Sequence, residues 1–238
     1  MKRLSTLFLI AMSAFAQTPA APPKKDAAPA APARENGLYA IFNTSMGTFT
    51  AKLFENETPI TVKNFVALAK GTKAWKDPNT KAMVAKPMYN NITFHRVIKN
   101  FMIQTGDPTA RGDHDCGFTI KDEIVPSLKF DQPGRLGMAN VGSPNTGGCQ
   151  FFVTAVPYPS LNGGYTVFGQ VIEGQDVVNN IDNVRTGAND KPLTPVKLVS
   201  VTIQRVGPAP GVPAPPKKST TTPTKSGTAT KSGTATKK

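Results

Sequence analysis

Arg96 and Gln104 stand in a run of large apolar side chains, Phe94-His95-Arg96-Val97-Ile98-Lys99-Asn100-Phe101-Met102-Ile103-Gln104-Thr105-Gly106-Asp107. In such company a guanidinium and a carboxamide can work on an amide while apolar neighbours grip a ring. A second patch of the same character follows further along the chain, Met138-Ala139-Asn140 and then Gln150-Phe151-Phe152. The two serve one chemistry only if the fold sets them side by side. The competing reading of Arg96 is a strand-surface charge paired with an acid such as Asp107.

Several reaction classes lack their residues. The chain has no His-x-x-x-His pair, no Cys-x-x-Cys, no Gly-x-Ser-x-Gly and no phosphate-binding glycine loop. Its only imidazoles are His95 and His114, and His95 reads as a structural histidine rather than a base. Asp113, His114, Asp115 and Cys116 are consecutive, and consecutive residues rarely converge on one ion. They read as a solvated acidic loop, so neither a metal nor another cofactor is expected.

The ends frame one domain. Residues 1–16 have a basic start (Lys2, Arg3), an apolar stretch from Leu7 to Met12, and Ala14 and Ala16 flanking Phe15. This is the pattern of a signal peptide cut after Ala16, too short to span a bilayer, and it predicts a periplasmic or secreted protein. Residues 17–35 read as a disordered Pro/Ala-rich linker. Residues 207–238 read as a disordered Lys/Thr/Ser/Gly-rich tail in which Lys-Ser-Gly-Thr-Ala-Thr occurs twice. The domain is then 36–206, large enough for a sizeable core. Of the net charge of +13, the tail carries +6 and residues 1–35 carry +3, leaving an ordinary +4 for the domain. The tail could adhere to anionic surfaces or simply be solvated. No specific nucleic-acid partner is expected, and the protein is expected to be a monomer. Cys116 and Cys149 are candidates for a disulfide in an exported chain, where thiols tend to pair.

Within the domain, apolar alternation marks eight short strands: Leu38 to Asn43, Thr48 to Phe54, Ile92 to Ile98, Phe101 to Thr105, Arg135 to Ala139, Phe151 to Thr154, Thr166 to Val171 and Leu198 to Arg205. Thr58-Pro59 reads as an N-cap followed by proline at the first helical position, with Gly71 closing the helix. A second helix is expected from Gly174 to about Asn183, and 73–89 reads as an irregular insertion around Trp75. Many short strands with only two helices favour a mainly β fold, a closed antiparallel barrel or a sandwich.

In order and spacing, the runs Phe94 to Gly106, Gly134 to Asn140, Gln150-Phe151-Phe152 and Leu161 to Gly169 resemble the cyclophilins, peptidyl-prolyl cis-trans isomerases. The resemblance covers the whole domain. It implies a closed eight-stranded antiparallel β-barrel capped by two α-helices. It places the catalytic arginine at Arg96 and, at Gln104, the glutamine that orients the arginine or contacts substrate. The proline pocket falls on Phe101, Met102, Phe152 and Leu161. The peptide-binding backbone edge falls on Ala139 and Asn140, with Gln150 its neighbouring side-chain contact. Tyr165 stands where many relatives have histidine. Phe94, Phe151 and Phe168 remain core. The implied partners are proline-containing segments of client proteins; the alternative is a proline-peptide binding module tethered by its basic tail, with incidental turnover.

The chain departs from the family pattern in two places. Ser160 stands where many eukaryotic relatives have a tryptophan that helps bind cyclosporin, which implies weak inhibition here. The loop Thr109 to Gly117 carries Arg111, Asp113, His114, Asp115 and Cys116 where glycines are common, so the preference before proline stays open. Cys116 lies in that loop and Cys149 precedes Gln150, so a disulfide between them would stiffen the wall of a secondary pocket.

Overall fold

The computed structural model describes residues 34–209. The expected signal peptide, nearly all of the 17–35 linker and most of the 207–238 tail lie outside them. No helix among the described residues is long and apolar enough to cross a membrane.

Strands β1 (Gly37–Thr44) and β2 (Gly47–Leu53) form the expected hairpin, followed by helix α1 (Pro59–Lys70). Short strands β3 (Trp75–Lys76) and β4 (Met83–Val84) pair with each other alone. Then come β5 (Ile92–Thr93), β6 (Arg96–Ile98), β7 (Met102–Thr105), β8 (Arg135–Met138), β9 (Phe151–Thr154), β10 (Val167–Glu173), α2 (Gln175–Asp182) and β11 (Lys197–Val206). Nine strands make one antiparallel sheet in the order β5-β11-β1-β2-β10-β8-β9-β7-β6.

That order corrects the expected closed eight-stranded barrel: the sheet curls, but β5 and β6 are free ends and do not pair. They are the two halves of the run expected as one strand, Ile92 to Ile98. A half-buried strand alternates inward and outward side chains, whereas Phe94 and His95 are both buried. At this point the chain leaves one neighbour for another. The Phe94 N–H still donates to the Val196 carbonyl (3.0 Å), while Arg96 already faces Gln104 on β7. The seam is held by a side chain instead of a ladder, with Thr105 Oγ1 donating to the Thr93 carbonyl (2.8 Å).

Inside the curl, Phe42, Phe49, Phe65, Tyr89, Phe94, Phe151 and Phe168 are buried in one core. Phe65 meets Phe151 edge-on at 5.3 Å, a geometry that the ring quadrupoles favour. Both helices turn apolar faces into this core, Val62, Phe65 and Leu68 from α1 and Val177, Val178 and Ile181 from α2.

Two local expectations also change. Thr58 holds the N-cap position ahead of Pro59 as expected, but its hydroxyl makes no capping bond and donates back to the Phe54 carbonyl. The free N–H groups of Ile60 and Thr61 instead donate to the two carboxylate oxygens of Glu123 (3.0 and 2.8 Å), a cap from far along the chain. The 73–89 segment is also more ordered than expected. Asp77 accepts from Asn79, Thr80 and Lys86, and Trp75 Nε1 donates to the Lys86 carbonyl.

Candidate active site

Residues from both apolar-polar patches fall on one lateral row of the sheet. Arg96 on β6 pairs with Gln104 on β7, Gln104 with Phe152 on β9, and Phe152 with Gly137 on β8. Because neighbouring strands lie about 4.8 Å apart, the four positions span roughly 15 Å on one face. Their chain neighbours, Val97, Ile103, Phe151, Val153 and Leu136, point the other way into the core. Period-two alternation thus divides the aromatic pair at 151 and 152 between core and site.

On the outer face, Met102, Phe130, Phe152 and Val167 form a second buried apolar cluster, with Phe101, Leu161 and Tyr165 packed against it. Phe152 stacks on Phe130 at 5.6 Å and meets Tyr165 edge-on at 5.4 Å. Above them opens a pocket of about 120 Å³, suited to one small ring, whose lining includes Arg96, Gln104, Ala139 and Asn140. Gly137 has no side chain for a plain reason: a Cβ there would collide with Cζ of the Phe152 ring. The tip carrying Phe101 is clamped from α2, where Asp182 accepts from the Asn100 N–H at 2.8 Å.

Of the ten residues expected at the site, nine line this pocket, and Gln150 lines the cleft beside it. Gln104 Nε2 donates to Gln150 Oε1 (3.0 Å), and Gln150 Nε2 donates to the Gly112 carbonyl (3.1 Å). Gln104, expected to orient Arg96 or to contact substrate, thereby ties the site to the 107–114 loop. Arg96 Nε instead donates to Asp190 Oδ2 at 3.2 Å. Sequence reasoning misses Asp190, whose only trace in the chain is the turn signal Gly187-Ala188-Asn189-Asp190. The main-chain N–H and C=O of Asn140 make no hydrogen bond among the described residues, while its side chain braces Gly164 and Gly142.

The adjoining cleft, of about 380 Å³, is bounded by the 112–119 loop and by Cys149. Asp107 anchors that loop from beneath. Its carboxylate accepts from Thr109 N and Oγ1, Gly112 N and His114 N. Burial alone would raise its pKa, but these donors outweigh it and hold Asp107 below the usual carboxylate range. His95 is buried beside it with both nitrogens unpartnered, and burial pushes its pKa down. Cys116 and Cys149 are buried free thiols. Mutual hydrogen bonding lowers Cys116 and raises Cys149 well above the ordinary thiol value. Among the described residues no group of three His, Cys, Asp or Glu could hold a metal ion.

The family model described as cyclophilin type peptidyl-prolyl cis-trans isomerase/CLD matches residues 39–203. Peptidyl-prolyl cis-trans isomerase A of Mycobacterium tuberculosis is 46% identical over 166 residues, covering 69% of this chain and 91% of that protein. Peptidyl-prolyl cis-trans isomerase-like 1 of Aspergillus fumigatus is 41% identical over 170 residues, covering 70% of this chain and 96% of its own. Among solved structures, a Cryptosporidium parvum cyclophilin type peptidyl-prolyl cis-trans isomerase, crystallised in the presence of the dipeptide Ala-Pro, superposes with a TM-score of 0.61 at 34% identity. That match covers 71% of this chain and 99% of the other. With the family model matching most of the chain and the sheet, pocket and row of side chains in place, the chain belongs to the cyclophilin-type peptidyl-prolyl cis-trans isomerases.

Proposed function

We propose that this isomerase accelerates rotation about Xaa-Pro bonds by holding the proline ring in the pocket over Phe152 while Arg96 stabilises the twisted amide. Rotation destroys amide resonance, a barrier of about 18–20 kcal/mol, and unassisted exchange takes tens to hundreds of seconds. In the twisted state the prolyl nitrogen becomes a basic acceptor. A guanidinium can donate to that lone pair or to the rotating carbonyl oxygen with no proton transferred and no bond to substrate formed. Only contacts stronger to the twisted amide than to either planar form raise the rate. The observation that carries this reading is the placement of Arg96 on the rim of a ring-sized pocket walled by Phe101, Met102, Phe152 and Leu161.

The free main-chain groups of Asn140 would pair with the residues flanking proline as an added strand. The substrates we propose are extended, proline-containing segments of exported or unfolded polypeptides. This rests on the signal-peptide pattern of residues 1–16, which also underlies a periplasmic or secreted location. Magnetisation-exchange NMR on Xaa-Pro peptides tests the catalytic assignment: Arg96→Ala should lose about 10²-fold in kcat, the loss typical of a preorganised donor. Full turnover without Arg96 would overturn its role as donor, whereas an inactive Arg96→Ala protein that still binds peptide and leaves the cellular phenotype unchanged would favour a proline-peptide binding module.

A further inference from the structure

Arg96 has one ionic partner among the described residues, Asp190, and it stands on a turn of unusual backbone. Residues 185–193 fold back on themselves. Gly187 N–H donates to the Lys191 carbonyl (2.8 Å), Leu193 N–H donates to the Arg185 carbonyl (2.9 Å), and Thr186 bridges Pro192. At the tip, Asn189 and Asp190 both adopt positive φ, 58° and 57°. Two successive non-glycine residues in the left-handed region are costly, although Asn and Asp tolerate it better than most. Glycine would relieve the strain at 190 and lose the carboxylate.

Fold stability does not account for that carboxylate. Both side chains of the ion pair are 45% exposed, and exposed pairs contribute little. Strained backbone of this kind gathers at functional sites. The contact is to Nε, at 3.2 Å, which leaves both terminal nitrogens of the guanidinium free to donate. Arg96 borders both the ring-sized pocket and a neighbouring basin of about 730 Å³ that Asp190 also lines. Gln104, its partner across the strands, is engaged with Gln150 and leaves Arg96 to Asp190. We infer that Asp190 is the positioning residue for Arg96, gripping the guanidinium from behind so that its terminal nitrogens stay aimed at the proline amide. This rests on the reading of Arg96 as the donor to that amide.

A double-mutant cycle tests it, with kcat and KM from exchange NMR and Tm for each protein. Asp190→Gly keeps the turn geometry, so Tm should hold or rise while kcat falls about fivefold, the kinetic equivalent of ~1 kcal/mol, with KM little changed. In the Arg96→Ala background the same substitution should cost nothing further. Asp190→Asn, which keeps an acceptor at the same reach, should recover most of kcat. Wild-type kcat in Asp190→Gly, or an equal loss in both backgrounds, overturns the positioning role and leaves Arg96 as donor. Wild-type kcat in Arg96→Ala alone overturns the donor reading and this inference with it.

Discussion

Arg96 and Gln104 lie directly opposite each other on β6 and β7, yet their side chains diverge. Arg96 goes to Asp190 and Gln104 to Gln150. The divergence gives the site two separate supports, a turn after α2 that fixes the cation and a chain of carboxamides that fixes the loop beside it. Changes in either support should therefore have different kinetic signatures.

Gln150 is the link of the second support. Gln150→Ala frees both Gln104 and the Gly112 carbonyl, so the loop wall of the adjoining cleft should loosen. We expect KM to rise roughly fivefold, the equivalent of ~1 kcal/mol for one net hydrogen bond, with kcat nearly held. A fall confined to kcat in steady-state measurements would contradict this division of labour.

Gly137→Ala should act on Phe152. The new Cβ would collide with Cζ of the Phe152 ring, and Phe130 backs the same ring, so the ring must shift toward the pocket. Overpacking of this kind costs about 1–3 kcal/mol. A displaced pocket floor should lower kcat/KM by roughly tenfold or more. Urea unfolding and peptide turnover measured on the same preparation check both; a destabilised variant with full activity would remove Phe152 from the pocket floor.

Asp107 makes the loop sensitive to acid. Its folded pKa is depressed, so its contribution is present above the unfolded carboxylate value of about 3.9 and lost as pH falls through the lower folded value. Asp107→Asn should cost about 2 kcal/mol near neutrality, because a carboxamide cannot accept from all four donors. The gap between variant and wild type should close as pH drops below about 4. Denaturation curves at neutral and acid pH that stay equally far apart would rule the carboxylate out as the anchor.

Cys116 and Cys149 meet at the base of the adjoining cleft as free thiols. We propose that they join as a disulfide in an oxidising compartment and stiffen the cleft wall. Protein recovered from such a compartment should resist alkylation until reduced, and its intact mass should fall short by two hydrogens. Two thiols that alkylate freely without reductant would end that proposal.

Ser160 lies exposed in the single turn Pro159–Leu161, beside Tyr158, whose ring packs 4.1 Å from Phe101. The rim therefore has no indole at the position where cyclosporin-binding relatives carry one. Weak inhibition by cyclosporin is the expected outcome in a proline-isomerisation assay, with Ser160→Trp strengthening it. Sub-micromolar inhibition of the unaltered protein would show that the missing indole is not decisive.

Much of this protein is legible in its sequence because the signals are local. Alternation marks where strands lie, and by itself it assigns Phe151 and Phe152 to opposite faces of one strand. The spacing of Phe101, Met102, Ala139, Asn140, Gln150 and Phe152 carries the family and hence the pocket, since each residue sits at a set position on its own segment. What the sequence could not contain is where segments distant in the chain meet. The split of the 92–98 run into two sheet edges follows from Phe94 and His95 both being drawn into the interior, which alternation alone would not predict. Glu123 supplies the side-chain cap of a helix that begins sixty-odd residues earlier, leaving Thr58 at the N-cap position without the capping bond its local sequence suggested. Asp190 reaches Arg96 from ninety-four residues away, through a turn whose left-handed backbone no propensity would assign. Local periodicity sets which face a side chain takes, but the partner it finds there depends on contacts that close only when the whole chain has folded.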